Sequence, residues 1–331
     1  MKGLSLFWKQ NFERILYNLI HAEVDKGQEW KEGYKEALNK VKENFDAEIQ
    51  TQLEESDQFA AAAKPISLSS EPHARSRIYR AEPTSWEIND TGATEVLKAI
   101  LAKKTQNNAV VFDLDGTLFD VGPRTVGILK EWLKTEEAKD CDPYYLKILE
   151  EVSVVHLGYS LFHLFENAGF DMNLPPVFKI YERVQKYWNR RFFDGDSLVE
   201  YDTVFPGALE FVEALQKEGI NIVYLTGRHQ HQMREGTIAQ LKKWNFPVTE
   251  ENVHLKTNPA MDDQLFKGAK FAEIMKKFDV IANFENEYPN LNSMFRNNKE
   301  AVHVIMDSQH SGRRVPDDNL KIFRITHFQM D

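Results

Sequence analysis

The sequence has very little cysteine, no long apolar run and no excess of basic charge. Its single cysteine, Cys141, excludes an intrachain disulfide in these 331 residues and is typical of a protein from a reducing compartment. Cys141 stands between Asp140 and Asp142, whose negative charges disfavour a thiolate. We therefore do not expect this cysteine to be a catalytic nucleophile.

No segment approaches the length of an apolar membrane span, and charged residues such as Lys9, Glu13 and Arg14 interrupt any signal-peptide core. We therefore predict a cytoplasmic protein with no membrane partner. The formal net charge is -10, from 51 acidic and 41 basic residues, without a basic stripe. This balance argues against nucleic acid as a partner.

The most informative stretch is an apolar strand that ends on two acids. The strand residues through Phe112 are followed by Asp113 and Asp115, and Gly116 and Thr117 can then turn the chain. Because side chains alternate along a strand, the two carboxylates share a face and can converge on one reacting group. This layout predicts an aspartate nucleophile, Asp113, with an acid/base partner, Asp115.

This stretch resembles the first motif of the haloacid dehalogenase-like (HAD) hydrolase superfamily, Asp-x-Asp-Gly-Thr after a buried strand. The resemblance implies an α/β fold with a doubly wound (Rossmann-like), mostly parallel sheet and active residues at the carboxyl ends of the strands. Dehalogenases of the superfamily lack the second acid, because a halide leaves without a proton. The presence of Asp115 therefore favours the phosphatase type.

A second strand, from Ile220, ends in Thr226, Gly227 and Arg228 and resembles the superfamily's second motif. The resemblance implies that the Thr226 hydroxyl binds phosphoryl oxygens. Gly227 and Arg228 are predicted substrate contacts, and a salt bridge from Arg228 to a helix is an equal alternative.

The third motif of the superfamily is a lysine that neutralises charge on the phosphoryl group and the nucleophile. Phe266 and Lys267 resemble the form in which this lysine lies in the first turn of a helix. Lys270 and Lys256 are competing candidates. We favour Lys267, because its helix leads into the next apolar strand at the superfamily's usual interval.

That next strand ends at Phe284 and is followed by Glu285, Asn286 and Glu287. The resemblance implies a Mg²⁺ ion held by Asp113, by the main-chain carbonyl of Asp115 and by Glu285 or Asn286. Asparagine departs from the aspartate that many members have here. It can donate a carbonyl oxygen to a hard cation, but it removes a negative charge.

The sequence predicts an N-terminal helical extension, a strap, a catalytic core and a helical cap. Their predicted ranges are 1–55 for the amphipathic extension, 56–92 for the linker or strap, 93–120 with 205–331 for the HAD-like core, and 121–204 for the cap. In the cap we predict one helix from Pro123, a second from Asp142 to Gly169 and a third over 176–193. A cap of this kind closes over the site and contributes substrate contacts.

These features predict a magnesium-dependent phosphatase that hydrolyses a small phosphorylated metabolite through an aspartyl-phosphate. A phosphotransferase or mutase could use the same groups if the cap excluded water. A catalytically weakened binding or regulatory protein is the alternative from another class, supported by Asn286 and the long N-terminal extension. The apolar stripe of that extension is expected to pack against the catalytic core or to pair the two helices with each other. The alternative is an arm for dimerisation, giving a homo-oligomer, or for binding another partner.

Overall fold

The structure is a computed structural model that describes residues 86–313, 315 and 319–331. The predicted N-terminal helices and most of the predicted strap lie outside the described residues. Across the part that is described, no helix has the length and apolar character needed to cross a membrane.

A parallel sheet of seven strands forms the centre of the fold. Its strands are β1 (Glu87–Asp90), β2 (Asn108–Phe112), β5 (Asn221–His229), β6 (Val253–Lys256), β7 (Asp279–Glu285), β8 (Val302–Met306) and β9 (Lys321–Ile325). They lie in the order β1-β9-β8-β7-β2-β5-β6, and each neighbouring pair is parallel. The predicted α/β fold with a mostly parallel sheet is confirmed.

Helices cover both faces of this sheet. In chain order the helices are α1 (Ala93–Leu101), α2 (Gly122–Trp132), α3 (Glu136–Lys139), α4 (Pro143–Glu150), α5 (Leu161–Asn167), α6 (Pro175–Phe192), α7 (Gly195–Tyr201), α8 (Ala208–Lys217), α9 (Gln230–Lys243), α10 (Asp263–Ile274) and α11 (Tyr288–Asn297). Helices α1, α8 and α9 bury apolar residues in the core on one face. Helices α10 and α11 do so on the other.

Strand β2 lies at the centre of the core, and all five of its residues are buried. Val110 and Phe112 face the core beneath α8, whereas Ala109 and Val111 face the core beneath α10. A strand buried on both faces reads as a continuous apolar run, which is why the motif strand was visible in the sequence.

The helical insertion leaves and rejoins the core through a two-stranded antiparallel pair. Its strands are β3 (Phe119–Asp120) and β4 (Thr203–Val204), and Phe119 pairs with Val204. Helices α2 to α7 lie between these strands, in the range predicted for the cap.

The second predicted cap helix begins as expected and then breaks. Asp142 is its N-cap, and its carboxylate accepts a hydrogen bond from the Tyr144 N–H. The prediction of one helix through Gly169 is wrong, because α4 ends at Glu150 and a 3-10 turn and α5 follow. Ser160 starts α5 by accepting the His163 N–H, which favours a new helix over a continued one.

Three strands of the central sheet, β1, β6 and β9, were not predicted, and neither were β3 and β4. All are short, and β1 and β6 are the two edges of the sheet. In β1 only Ile88 is less than exposed, so the strand lacks the apolar run by which a central strand is recognised.

Acid is expected to destabilise the fold through His303, a buried residue of β8 whose Nε2–H donates to the Asn298 carbonyl at 2.8 Å. Burial lowers the pKa of His303 from 6.5 to about 4. Below pH 6.5 the unfolded chain therefore binds a proton that the folded chain does not. Because of this difference in proton binding at His303, the unfolding free energy falls by about 3 kcal/mol as the pH falls from 6.5 to about 4.

Urea denaturation of wild type and His303→Gln across this pH range measures the contribution. The variant should lose less stability than wild type on acidification, because glutamine does not titrate. Equal losses in both proteins would contradict the prediction.

Candidate active site

The strands that carry three predicted motifs are neighbours at the centre of the sheet. Strand β2 lies between β7 and β5, and all three run in the same direction. Asp113 follows β2, Glu285 ends β7 and Thr226 lies near the end of β5. All three side chains are buried at the carboxyl edge of the sheet, where α/β folds place their sites.

The turn after Asp113 depends on Gly116. This residue has φ of +78°, a left-handed conformation that favours glycine. A Cβ on Gly116 would lie 2.2 Å from Nδ2 of Asn286 and 3.2 Å from Oγ of Ser308. Glycine therefore allows the turn to pack directly against the loop that follows β7.

The Lys267 ammonium lies between two buried carboxylates. Its Nζ is 2.6 Å from Oδ1 of Asp113 and also donates to Glu285. Helix α10 thus places Lys267 in contact with Asp113, the expected nucleophile, although the two residues are 154 positions apart in the sequence. Lys256 and Lys270 do not reach it: Lys256 binds Asp263, and Lys270 binds Glu273 in its own helix.

One ammonium facing two carboxylates leaves the cluster with one excess negative charge. Burial and the adjacent Glu285 carboxylate raise the pKa of Asp113, and Lys267 offsets them only in part. Burial alone would lower the pKa of Lys267, but Asp113 and Glu285 together raise it. Lys267 is therefore held as a cation. The cluster still carries one uncompensated negative charge, which a further cation could balance.

Glu285 is fully engaged by protein groups. Its Oε1 accepts from Lys267 and from Nδ2 of Asn290 at 2.9 Å, and its Oε2 accepts the backbone N–H groups of Asn286 and Glu287. These contacts leave Glu285 poorly placed as a metal ligand. Asn290 was not predicted as a site residue. It lies four residues after Asn286, and the fourth motif of the HAD superfamily has a form, Gly-Asp-x-x-x-Asp, in which two acids have this same spacing.

The amide nitrogen of Asn286 is engaged by the protein, so its amide oxygen is the atom that could bind a cation. Its Nδ2 donates to the Gln309 carbonyl at 2.7 Å, and among the described residues no donor reaches Oδ1. Glu287 turns elsewhere and accepts the N–H and hydroxyl of Ser311. Of the residues after β7, Asn286 is thus the best candidate to hold a cation.

The second acid, Asp115, is held by two arginines. Arg228 donates from Nε and Nη2 to its two oxygens at 3.0 and 2.8 Å, and Arg124 donates from Nη2 to Oδ1 at 2.7 Å. Burial raises the pKa of Asp115, but both guanidiniums outweigh burial and hold it well below its ordinary value. The carboxylate is therefore ionised and fixed in orientation while both contacts last.

Arg228 contacts Asp115 and is shielded from solvent. Its side chain is 1% exposed, and its Nη1 donates to Thr237 and Gln240 of α9. The structure therefore does not bring Arg228 into a position to touch substrate. Thr226 and Gly227 precede it within β5, which continues through His229.

Arg124, which was not predicted as a site residue, lies in α2 of the helical insertion. Its Nε and Nη2 donate to the Asp202 carboxylate at 2.7 and 2.5 Å, and its guanidinium lies over the Phe192 ring. Gln240 also donates to Asp202, at 2.7 Å. Arg124 and Asp202 are 78 residues apart, and no local pattern marks either of them.

The oxygen donors fit a hard divalent cation that keeps several waters. Asp113 offers a carboxylate and Asn286 an amide oxygen, and Mg²⁺ is commonly held by few protein oxygens. Among the described residues no group of three or more His, Cys, Asp or Glu side chains could hold a metal. A cation here therefore relies on mixed donors, and it would balance the excess negative charge beside Lys267.

Part of the core that carries these residues is similar to a known protein family. Residues 185–309 match the family "HAD superfamily, subfamily IIIB (Acid phosphatase)". The matched range contains Thr226, Lys267 and Glu285, and the Asp113 motif precedes it. Over this part of the core the chain is similar to HAD-superfamily acid phosphatases, a class that generally uses a divalent metal.

Solved structures of several phosphatases are similar to parts of this chain. The class C acid phosphatase from Bacillus anthracis with tungstate bound is 16% identical, with 59% of this chain and 61% of that chain covered and a TM-score of 0.33. A predicted phosphoglycolate phosphatase from Haemophilus somnus is 15% identical, with 68% and 96% covered and a TM-score of 0.40. We infer no substrate from either. No curated protein matches the chain.

Removing Arg124 is expected to destabilise the protein, because Asp202 would remain buried without its main cation. Arg124→Met should lower the unfolding free energy by about 3 kcal/mol in urea denaturation. The control is Arg191→Met, which breaks a more exposed cap ion pair with Glu131 and should cost about 1 kcal/mol. Equal losses in the two variants would argue against a special role for the buried pair.

Proposed function

We propose that this protein is a magnesium-dependent phosphatase that hydrolyses a small phosphomonoester through an aspartyl-phosphate at Asp113. The observation that supports this most directly is the contact between Asp113 and the Lys267 ammonium at 2.6 Å. A buried carboxylate oriented by a cation, next to a second acid, is the arrangement that nucleophilic catalysis at phosphorus requires.

In the first step an oxygen of Asp113 bonds to phosphorus as the ester P–O bond breaks. A bound phosphate dianion places negative charge beside Asp115 and raises its pKa, so this carboxyl can take up a proton and give it to the leaving oxygen. Lys267 and the Thr226 hydroxyl stabilise charge on the phosphoryl oxygens.

In the second step water attacks phosphorus and gives a proton to Asp115. The P–O bond to Asp113 then breaks, and inorganic phosphate leaves. Arg124 and Arg228 favour the ionised form of Asp115, which is the form that accepts this proton.

Asp113, the main-chain carbonyl of Asp115 and Asn286 would hold the Mg²⁺ ion. When bound, it supplies positive charge that screens repulsion between the carboxylate and the anionic substrate. We assign Glu285 instead to orienting Lys267, because protein donors already occupy both of its oxygens.

The nucleophile assignment predicts that wild type with Mg²⁺ hydrolyses para-nitrophenyl phosphate and that Asp113→Asn is slower by roughly a thousandfold or more. Acid quenching during turnover of a radiolabelled phosphoester should trap labelled wild type and leave the variant unlabelled. Asp142→Asn is the matched control, since asparagine also caps a helix and should preserve activity. If Asp113→Asn turned over as fast as wild type, the phosphatase proposal would fail.

The metal assignment predicts opposite effects of two changes at Asn286. Asn286→Asp adds a negative charge and should bind Mg²⁺ about tenfold more tightly, whereas Asn286→Ala removes an oxygen donor and should bind it more weakly. Isothermal titration with Mg²⁺ measures both affinities without relying on catalysis. Unchanged affinity in both variants would exclude Asn286 as a ligand.

A further inference from the structure

We propose that Asp263 selects, among phosphomonoesters, those whose alcohol carries a hydrogen-bond donor close to the ester oxygen. The donor is a hydroxyl or an ammonium group. This inference rests on the phosphatase function proposed above and specifies the class of substrate that the site takes.

Asp263 lies one helical turn from the lysine of the active site. It is the first residue of α10, and Lys267 is four residues further on. Residues four apart lie on the same face of a helix, about 5–6 Å apart at Cβ. Because Lys267 contacts Asp113, Asp263 stands on the side of the helix that faces the site.

The Asp263 carboxylate also lies against the strand end expected to contact phosphate. A Cβ on Gly227 would be 2.7 Å from Oδ2 of Asp263 and 3.1 Å from its Oδ1. Gly227 directly follows Thr226, whose hydroxyl we assign to the phosphoryl oxygens. Two independent elements, α10 and β5, therefore place the same carboxylate beside the phosphate position.

Lys256 holds this carboxylate by one oxygen and leaves the other free. Its Nζ is 2.5 Å from Oδ1 of Asp263 and also donates to the carbonyls of Pro259 and Met261. Within the described residues no hydrogen bond reaches Oδ2, and the side chain is 42% exposed. Oδ2 is thus the oxygen of this partly exposed carboxylate that remains able to accept a hydrogen bond from a bound molecule.

A carboxylate in this position discriminates by chemistry. It accepts a hydrogen bond from a hydroxyl or an ammonium group, and it repels a second anionic group. An alkyl chain has no hydrogen-bond donor for this carboxylate. The competing explanation is that the Lys256 pair only organises the loop before α10, in which case a change at Asp263 should affect all substrates equally.

Three esters of nearly the same size separate these explanations: ethylene glycol monophosphate, phosphoethanolamine and n-propyl phosphate. Asp263→Asn should lower kcat/KM for at least one of the two donor-bearing esters about tenfold, the value of one hydrogen bond to a charged group. Its kcat/KM for n-propyl phosphate should change less than twofold. A larger loss on phosphoethanolamine would identify an ammonium substrate, and a larger loss on the glycol ester a hydroxyl substrate.

Asp262→Asn is the matched control. It removes the same charge from the same helix end, but Asp262 caps α10 through the Leu265 N–H, and asparagine preserves that role. It should not distinguish the three esters. Thermal melting of Asp263→Asn and Asp263→Ala confirms that losses are not due to unfolding.

The outcomes separate this inference from the phosphatase proposal. Equal losses on all three esters, or no loss on either donor-bearing ester, overturn the role of Asp263 while catalysis by Asp113 stands. If wild type hydrolyses para-nitrophenyl phosphate but none of the three esters faster than Asp113→Asn, the role of Asp263 is overturned and the phosphatase proposal stands. If it hydrolyses para-nitrophenyl phosphate no faster than Asp113→Asn, the phosphatase proposal fails and the role of Asp263 with it.

Discussion

The Lys267 ammonium, shared by two buried carboxylates, is the interaction on which the site depends. It holds Asp113 by direct contact and ties the end of β7 to α10 through Glu285. Buried charges are tolerated only when they are paired and hydrogen-bonded, and Asn290 and two backbone N–H groups complete the pairing of Glu285. The remaining negative charge is the electrostatic reason to expect a cation at this site.

A second charge network connects the cap to the core. Arg124 and Asp202 come from the two ends of the insertion and pair with each other. Arg124 also donates to Asp115, to which Arg228 of the core donates as well, and Asp202 also accepts from Gln240 of the core. The acid expected to transfer the proton is therefore positioned by the cap as well as by the sheet. A change in how the helical insertion packs against the core would therefore alter the position of the Asp115 carboxylate.

The open side of the site differs from its buried floor. In the proposed function the floor neutralises phosphate through Lys267, whereas Asp263 brings an exposed carboxylate to its edge. This division suits a molecule with an anionic end and a donor-bearing end. It also explains how an acidic protein can accept an anionic substrate, because attraction acts locally against an unfavourable overall charge.

The amino-acid sequence alone determined the α/β class, the strand after which Asp113 and Asp115 stand, and Lys267 as the favoured lysine. These features lie in central buried strands and short motifs, whose apolar runs and turn residues are local properties. Only the tertiary structure decided that Arg228 faces Asp115, that Glu285 is engaged by Lys267, and that Arg124, Asp202 and Asp263 approach the site. Those relations join residues far apart in the chain, and they depend on helix packing and on competition for hydrogen bonds, which no local pattern records.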